Sequence, residues 1–168
     1  MDKRGYTTTL AYDDRGNVLV ITDTLNLTRT FAYDSRNNLL SEADARLNVT
    51  AYQYDARSNL ITRTDALGNI TTWAYTLYGQ VVSTSDARGN VTRYGYDSYG
   101  HPTVITDALT SATTFTYDLV GRKLSERNPL SYTTRYSYDA ANRLAALSDG
   151  KFIANPHHLD GLSWGCSN

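Results

Sequence analysis

Apolar and polar residues alternate along this chain in short runs. Thr50-Ala51-Tyr52-Gln53-Tyr54 is followed by Leu60-Ile61, and then by Ile70-Thr71-Thr72-Trp73-Ala74-Tyr75. Alternation with period two over five or six residues is strand spacing, and no window shows the three-to-four spacing of an amphipathic helix. Asp with Gly, Asn or Ser bounds each run, and these residues make turns. The runs also keep phase. Stepping by 21 from Tyr12 lands on Tyr33, Tyr54, Tyr75, Tyr96, Tyr117 and Tyr138 without an insertion or deletion. A fixed period in this range marks a repeat architecture.

Count the recurring tyrosine as position zero. Asp follows it as Asp13, Asp34, Asp55, Asp97, Asp118 and Asp139, with Thr76 the exception. Four residues on stands a turn former: Gly16, Asn37, Ser58, Gly79, Gly100, Gly121 or Asn142. Val18-Leu19, Leu39-Leu40, Leu60-Ile61 and Val81-Val82 at plus six and seven open a second strand. A second Asp stands at plus eleven (Asn128 once), followed in the clearest units by Gly68-Asn69 and Gly89-Asn90. An aromatic residue returns at plus nineteen: Phe31, Tyr52, Trp73, Tyr94, Phe115 and Tyr136. The unit reads strand, turn, strand, turn. The fold class is therefore all-β, an antiparallel meander of about 14 short strands.

An odd period constrains the loops. Successive side chains point to opposite faces, so a common face for every unit needs one even loop and one odd. A four-residue loop at plus two to plus five and a three-residue loop at plus twelve to plus fourteen satisfy this. The three-residue loop would end in a left-handed residue with a bulge. Plus seven, nine, seventeen, nineteen and zero then share a face, which packs Leu19, Leu40, Ile61, Val82 and Leu124 among the rings. Plus twenty opposes plus six on the preceding strand and plus eight on the following one, a slip of two residues per repeat. That slip implies a strand tilt of roughly 35° and a sheet that coils. The face opposite the rings, at Ala32, Gln53, Ala74, Gly95, Thr116 and Ser137, is small or polar and gives no sign of a second packed layer.

Composition agrees with strands: 14 Tyr against 3 Phe, with 11 Gly for turns. The 16 basic and 17 acidic residues balance, which gives no electrostatic reason to expect nucleic acid or a membrane surface as partner. No apolar stretch approaches a membrane span, and Met1-Asp2-Lys3-Arg4 does not begin a signal peptide. The one cysteine, Cys166, supports neither a disulfide framework nor a zinc site. Residues 1–149 read as the repeat array, entered in mid-unit at Asp2 and Gly5, and residues 150–168 as an irregular tail. Both end strands are open, so the isolated chain is expected to be marginally stable or to associate edge to edge.

Tyr-Asp-x-x-Gly-Asn/Arg-Leu followed by Asp-Ala-x-Gly-Asn-x-Thr and Tyr-x-Tyr resembles the YD repeat of the rearrangement-hotspot (RHS) family, which includes toxin-complex shell proteins and the teneurins. The copies at Tyr54 to Asn69, Tyr75 to Asn90 and Tyr117 to Leu124 carry it most clearly, and it extends over about residues 2 to 149. The resemblance implies a β-sheet wound in a spiral into a hollow shell that encloses a C-terminal toxin domain. It also implies secretion or surface delivery within a larger protein, through type VI secretion or toxin complexes. Partners would be neighbouring shell repeats and the enclosed toxin. A chain of 168 residues can contribute at most a turn or so of such a spiral. The family's Asp-Pro self-cleavage motif has no counterpart in Asp160-Gly161-Leu162-Ser163-Trp164-Gly165, so protease activity is not carried over.

No nucleophile elbow, phosphate loop or metalloprotease motif is present, and the exceptions to the repeat (Thr76, Tyr78, Tyr99, Asn128-Pro129) form no constellation; no catalytic residue and no enzyme is expected. Rows of Asp invite a calcium reading, but each turn offers too few oxygens, so no metal or cofactor is expected. His101 stands alone in a turn and His157-His158 lack further ligands. The signature residues Tyr12, Asp13, Gly16, Tyr33, Asp34, Tyr54, Asp55, Gly68, Tyr75, Gly79, Gly89, Tyr96, Asp97, Gly100, Tyr117, Asp118, Gly121, Tyr138 and Asp139 are read as structural. Two other readings fit the repeat: an extracellular glycan-binding or adhesive array that displays its rings outward, and a four-blade propeller of 42-residue blades. The second requires alternate units to differ, and they do not.

Overall fold

The computed structural model describes residues 7–149. They contain no helix. The strands are β1 (Thr9–Tyr12), β2 (Val18–Thr22), β3 (Thr28–Tyr33), β4 (Leu39–Ala43), β5 (Val49–Tyr54), β6 (Leu60–Thr64), β7 (Ile70–Tyr75), β8 (Val81–Ser85), β9 (Val91–Tyr96), β10 (Pro102–Thr106), β11 (Ala112–Tyr117), β12 (Lys123–Arg127), β13 (Thr133–Tyr138) and β14 (Leu144–Ser148). All 14 belong to one open sheet in chain order, as an antiparallel meander requires. That single order excludes the propeller. The chain divides into two compact units, 1–93 and 94–168. The first holds β1 to β8 and the start of β9; the second holds the end of β9 and β10 to β14. The expected tail at 150–168, with His157, His158, Asp160 and Cys166, lies outside the described residues, as do Asp2 and Gly5.

Both turns of the repeat are three-residue loops. At the first, Asp55 N–H donates to the Asn59 carbonyl at 2.9 Å and Ser58 N–H donates to the Asp55 carbonyl at 3.1 Å. At the second, Asp65 N–H donates to the Asn69 carbonyl at 3.0 Å and Gly68 N–H to the Asp65 carbonyl at 2.9 Å. The third loop residue is left-handed in every described turn. Gly16, Gly68, Gly79, Gly89, Gly100 and Gly121 hold it with φ between 80° and 91°, and Asn26, Asn37, Leu47, Ser58, Thr110, Ser131 and Asn142 with φ between 61° and 68°. Glycine adopts this conformation without cost, whereas a branched side chain such as Thr110 does not.

The first loop therefore differs from the four-residue expectation. Tyr54 opposes Leu60, Gln53 opposes Thr62, and the register shifts between them, so Ile61 is an extra residue on β6. The same bulge follows Tyr12, Tyr33, Tyr75, Tyr117 and Tyr138. Parity is restored in the strand, where two residues oppose one, instead of in the loop. The expected register survives: Gln53 at plus twenty opposes Thr62, and Thr62 opposes Thr72 at plus eighteen, a slip of two residues across two strands. Thr116, Ser125 and Arg135 repeat that slip in the second unit.

Direct opposition defines the ring face. Tyr52 opposes Arg63, Arg63 opposes Thr71, and Tyr54 opposes Leu60, so plus six, nine, seventeen, nineteen and zero share it. The Tyr52 hydroxyl donates to Glu42 Oε1 at 2.8 Å. Lys123 Nζ lies 4.6 Å from the Tyr136 ring and 5.7 Å from that of Phe115, and 2.7 Å from Glu126 Oε2. Leu40 and Ile61, at plus seven, line a groove with Tyr52 and Tyr54. On the other face the approach is close at Gly95, where a Cβ would come 2.7 Å from Val104 Cγ1. None of the described residues is fully buried. The sheet is one layer, and cross-strand pairs and ladder hydrogen bonds carry what a core carries elsewhere.

Two substitutions separate these contributions by chemical unfolding. Thr110→Gly should raise the unfolding free energy by about 1 kcal/mol by relieving the left-handed strain. Gly121→Ala should lower stability by about 1–3 kcal/mol, since it adds that strain and sets a Cβ 2.7 Å from His101 Nε2.

Candidate functional site

The most regular chemistry of the chain lies along its turns. In the first turn the carboxylate at plus one is shared three ways. Asp55 Oδ1 accepts the N–H of Arg57 at 2.8 Å and of Asn59 at 2.9 Å, while Oδ2 accepts the Asn59 side-chain amide at 2.9 Å. Asp13 with Asn17 and Asp34 with Asn38 repeat the arrangement. In the second turn Asp44, Asp65 and Asp86 do the same with Asn48, Asn69 and Asn90. The two backbone donors point inward from a three-residue loop, and a carboxylate one residue before the loop is the acceptor that reaches both.

These bonds favour the ionised carboxylate. The side-chain amide of the partner Asn, followed by the backbone donors, holds Asp34, Asp44, Asp55, Asp65 and Asp86 below the ordinary carboxylate value. In Asp97 and Asp118 desolvation pushes upward, but the bonds from His101 and Arg122 outweigh it and the net shift is also downward. The turn donors take up the oxygens a cation would need, and among the described residues no three His, Cys, Asp or Glu side chains gather as a ligand set.

The exceptions keep the acceptor. Thr76 Oγ1 accepts the N–H of Tyr78 and of Gln80, both at 3.2 Å, and Asn128 Oδ1 accepts the N–H of Tyr132 at 3.0 Å. His101 does not stand alone: it occupies plus five, its Nδ1 3.0 Å from Asp97 Oδ2 and its ring stacked on Tyr117 at 4.8 Å. Arg122 and Arg143 fill plus five in the next two units, their Nε donating to Asp118 and Asp139 at 2.6 and 2.8 Å.

Sequence reasoning overlooked what plus five and plus three do between repeats. Asn17 donates to Asn37 Oδ1 at 2.9 Å, Asn38 to Ser58 Oγ at 3.0 Å, and Arg122 to Asn142 Oδ1 at 2.7 Å. Arg15 donates to the Asp34 carbonyl at 2.9 Å and Arg57 to the Leu77 carbonyl at 2.8 Å. The Arg122 guanidinium also lies 4.9 Å over the Tyr138 ring. The available signal was a hydrogen-bond donor at plus five in all seven units. The three rungs from plus five end on the side chains of Asn37, Ser58 and Asn142, non-glycine residues held at positive φ. The tyrosines serve the same cohesion: Tyr75 and Tyr138 hydroxyls donate to the Leu60 and Lys123 carbonyls at 2.8 and 2.9 Å. The arrangement clamps a sheet together.

Comparison with known proteins fits this geometry. The family described as RHS Repeat matches at residues 12–46, 33–70, 75–112, 96–130 and 117–151. No curated protein matches. Among solved structures, the Photorhabdus luminescens Tc holotoxin pore is similar over 86% of this chain, with TM-score 0.69 and 19% identity. The TcdB2-TccC3 structure without its hypervariable C-terminal region is similar over 84%, with TM-score 0.52 and 18% identity. This chain spans 9% and 10% of those two chains. At such identities the likeness concerns the fold.

The lowered carboxyl values set the response to acid. A carboxyl whose folded value is depressed contributes stability that is complete above its ordinary value, about 4, and is lost as pH falls through the folded value. The urea midpoint should therefore stay level from pH 7 to about 5 and fall below about 4. Asn48→Leu removes the largest cause of the Asp44 shift, so carboxyl NMR titration should show Asp44 moving upward while Asp65 and Asp86 stay in place.

Proposed function

The chain belongs to the RHS-repeat family, and we propose that it is a structural segment of an RHS shell that encloses and helps deliver a C-terminal toxin domain, without catalysis of its own. Its sheet of seven in-phase repeats, clamped turn to turn and buried nowhere, is the observation that carries this reading. The two-residue slip per repeat favours a sheet that curves, because tilted strands close or coil where untilted ones stay open. The array then corresponds to residues 1–149, and the signature tyrosines and aspartates hold the wall. Its partners are neighbouring shell repeats and the enclosed toxin. Its destination is outside the producing cell, as part of a secreted or surface-delivered larger protein. No helix of the described residues is long and apolar enough to cross a membrane.

Outward glycan binding fits less well. Stacking on a sugar needs an accessible ring face, and six of the seven repeat tyrosines are partly covered, Tyr12 being the exposed one.

A graft tests the proposal. Residues 7–149 should replace the similar span of the Tc shell and leave a closed particle whose enclosed domain resists protease as in the parent. Adding Tyr75→Ser and Tyr117→Ser to the graft should make that domain digestible. A graft that folds with parental thermal stability yet leaves its cargo as digestible as the free domain would overturn the assignment.

A further inference from the structure

Two departures from the repeat occur together on the ring face. The aromatic at plus nineteen is Phe only at Phe31 and Phe115, and plus nine is a carboxylate only at Glu42 and Glu126. Each Glu directly opposes its Phe across the ladder. The next aromatic at plus nineteen, Tyr52 or Tyr136, stands diagonally beyond the Glu, because Glu42 opposes Thr50 and Glu126 opposes Thr134. Phe, Glu and Tyr thus line up twice, once on β3 to β5 within the first compact unit and once on β11 to β13 within the second.

In the second unit the chain itself supplies an occupant. Plus six, apolar in every other repeat, is Lys123. Its ammonium sits 2.7 Å from Glu126 Oε2, 4.6 Å from the centre of the Tyr136 ring and 5.7 Å from that of Phe115. At these distances a ring face attracts a cation. The hydrogen bond to Glu126 holds Lys123 above the ordinary lysine value. In the first unit the walls are the same, but plus six is Leu39, which brings no charge into them. The Tyr52 hydroxyl donates to Glu42 Oε1 at 2.8 Å, and Oε2 meets Arg29 Nη2 at 3.0 Å. Arg29 reaches in from plus seventeen, its side chain 56% exposed and its guanidinium 5.5 Å from the centre of the Phe31 ring. An ion pair so open to water is weakly held.

We propose that Phe31, Glu42 and Tyr52 bind the side-chain ammonium of a lysine in a partner polypeptide, with Arg29 as the displaceable occupant of the free chain. The second unit shows the occupied form of the same frame, with Lys123 as the lysine. The carboxylate balances the charge of the ammonium, and the ring faces replace part of the water it gives up. An ammonium head covers much less of a ring than a sugar does, so partly covered aromatics suffice. The site lies inside the array, with β2 and β6 paired on either side of its strands. It does not rest on toxin enclosure: a failed graft leaves it standing, and its own failure leaves the shell reading standing.

Titration of the full chain with Nα-acetyl-lysine N-methylamide, followed by NMR, tests it. The ring signals of Phe31 and Tyr52 and the carboxyl signal of Glu42 should shift together and saturate, while those of Phe115, Glu126 and Tyr136 stay in place. The norleucine analogue, which has the same stem without the ammonium, should shift nothing. Arg29→Ala should tighten binding by up to about fivefold by removing the competing cation. Glu42→Gln should abolish the shifts, and so should Leu39→Lys, which fills the site from within. Lys123→Leu should open the second frame and add a saturable response at Phe115, Glu126 and Tyr136. Circular dichroism and thermal melting of each variant separate loss of the site from loss of fold. The proposal is overturned by the absence of a saturable shift in both the unaltered chain and folded Arg29→Ala. Equal responses to the lysine and norleucine compounds, binding that survives in folded Glu42→Gln or Leu39→Lys, or a silent second frame in folded Lys123→Leu would overturn it as well.

Discussion

One oxygen atom shared by two backbone donors governs this molecule. At each Asp turn Oδ1 of the carboxylate takes the N–H groups two and four residues on, and that geometry exists only if the loop has three residues and the third is left-handed. The loop fixes the hairpin register, and the register fixes which side chains meet across the ladder. Ring face, slip and inter-turn rungs follow from it. Because the clamp is local, it can be repeated without a core, which is how strands with no fully buried residue among those described keep their register within each unit. A sandwich takes its register from the pattern of apolar side chains facing its core; this sheet takes it from its turns.

That distinction explains what could be read in advance. The all-β meander, the strand number, the two turn sites and the slip were legible because they depend on period and residue type, which the tyrosine and aspartate rows display directly. The first loop was not. The four residues before Val18 or Leu60, all polar except Ala56, look like one even loop, and parity then closes without a bulge. In the structure Asn17 and Asn59 already belong to the ladder, and Leu19 or Ile61 is the surplus residue. Both arrangements give the same register at plus twenty and plus eight, so the alternation of side chains cannot tell them apart. Only the hydrogen bond from Asp N–H to the plus-five carbonyl does.

The candidate site was legible in outline and missed in its connections. Asp at plus one as a turn acceptor follows from residue chemistry. The link from plus five to plus four of the next turn does not, since it joins residues 20 apart whose nearness depends on the slip. His101 shows the cost of reading one residue at a time: alone it suggests a stray imidazole, but in phase it is one more donor at plus five.

The departures from consensus sharpen the same point. Glycine at plus four offers its neighbour no side-chain acceptor, and beside it the plus-five residue finds a different partner, as His101 does on Tyr117 beside Gly121. Where plus four is Asn37, Ser58 or Asn142, a side chain strained at positive φ returns a hydrogen bond across the repeat boundary. Conformational ease and cohesion between units are thus alternatives at a single position. A wall built of such units can be stiffened or loosened turn by turn through one residue, with no change in register, face or fold. That freedom explains why the tyrosine spacing holds without exception while plus four varies among three residue types.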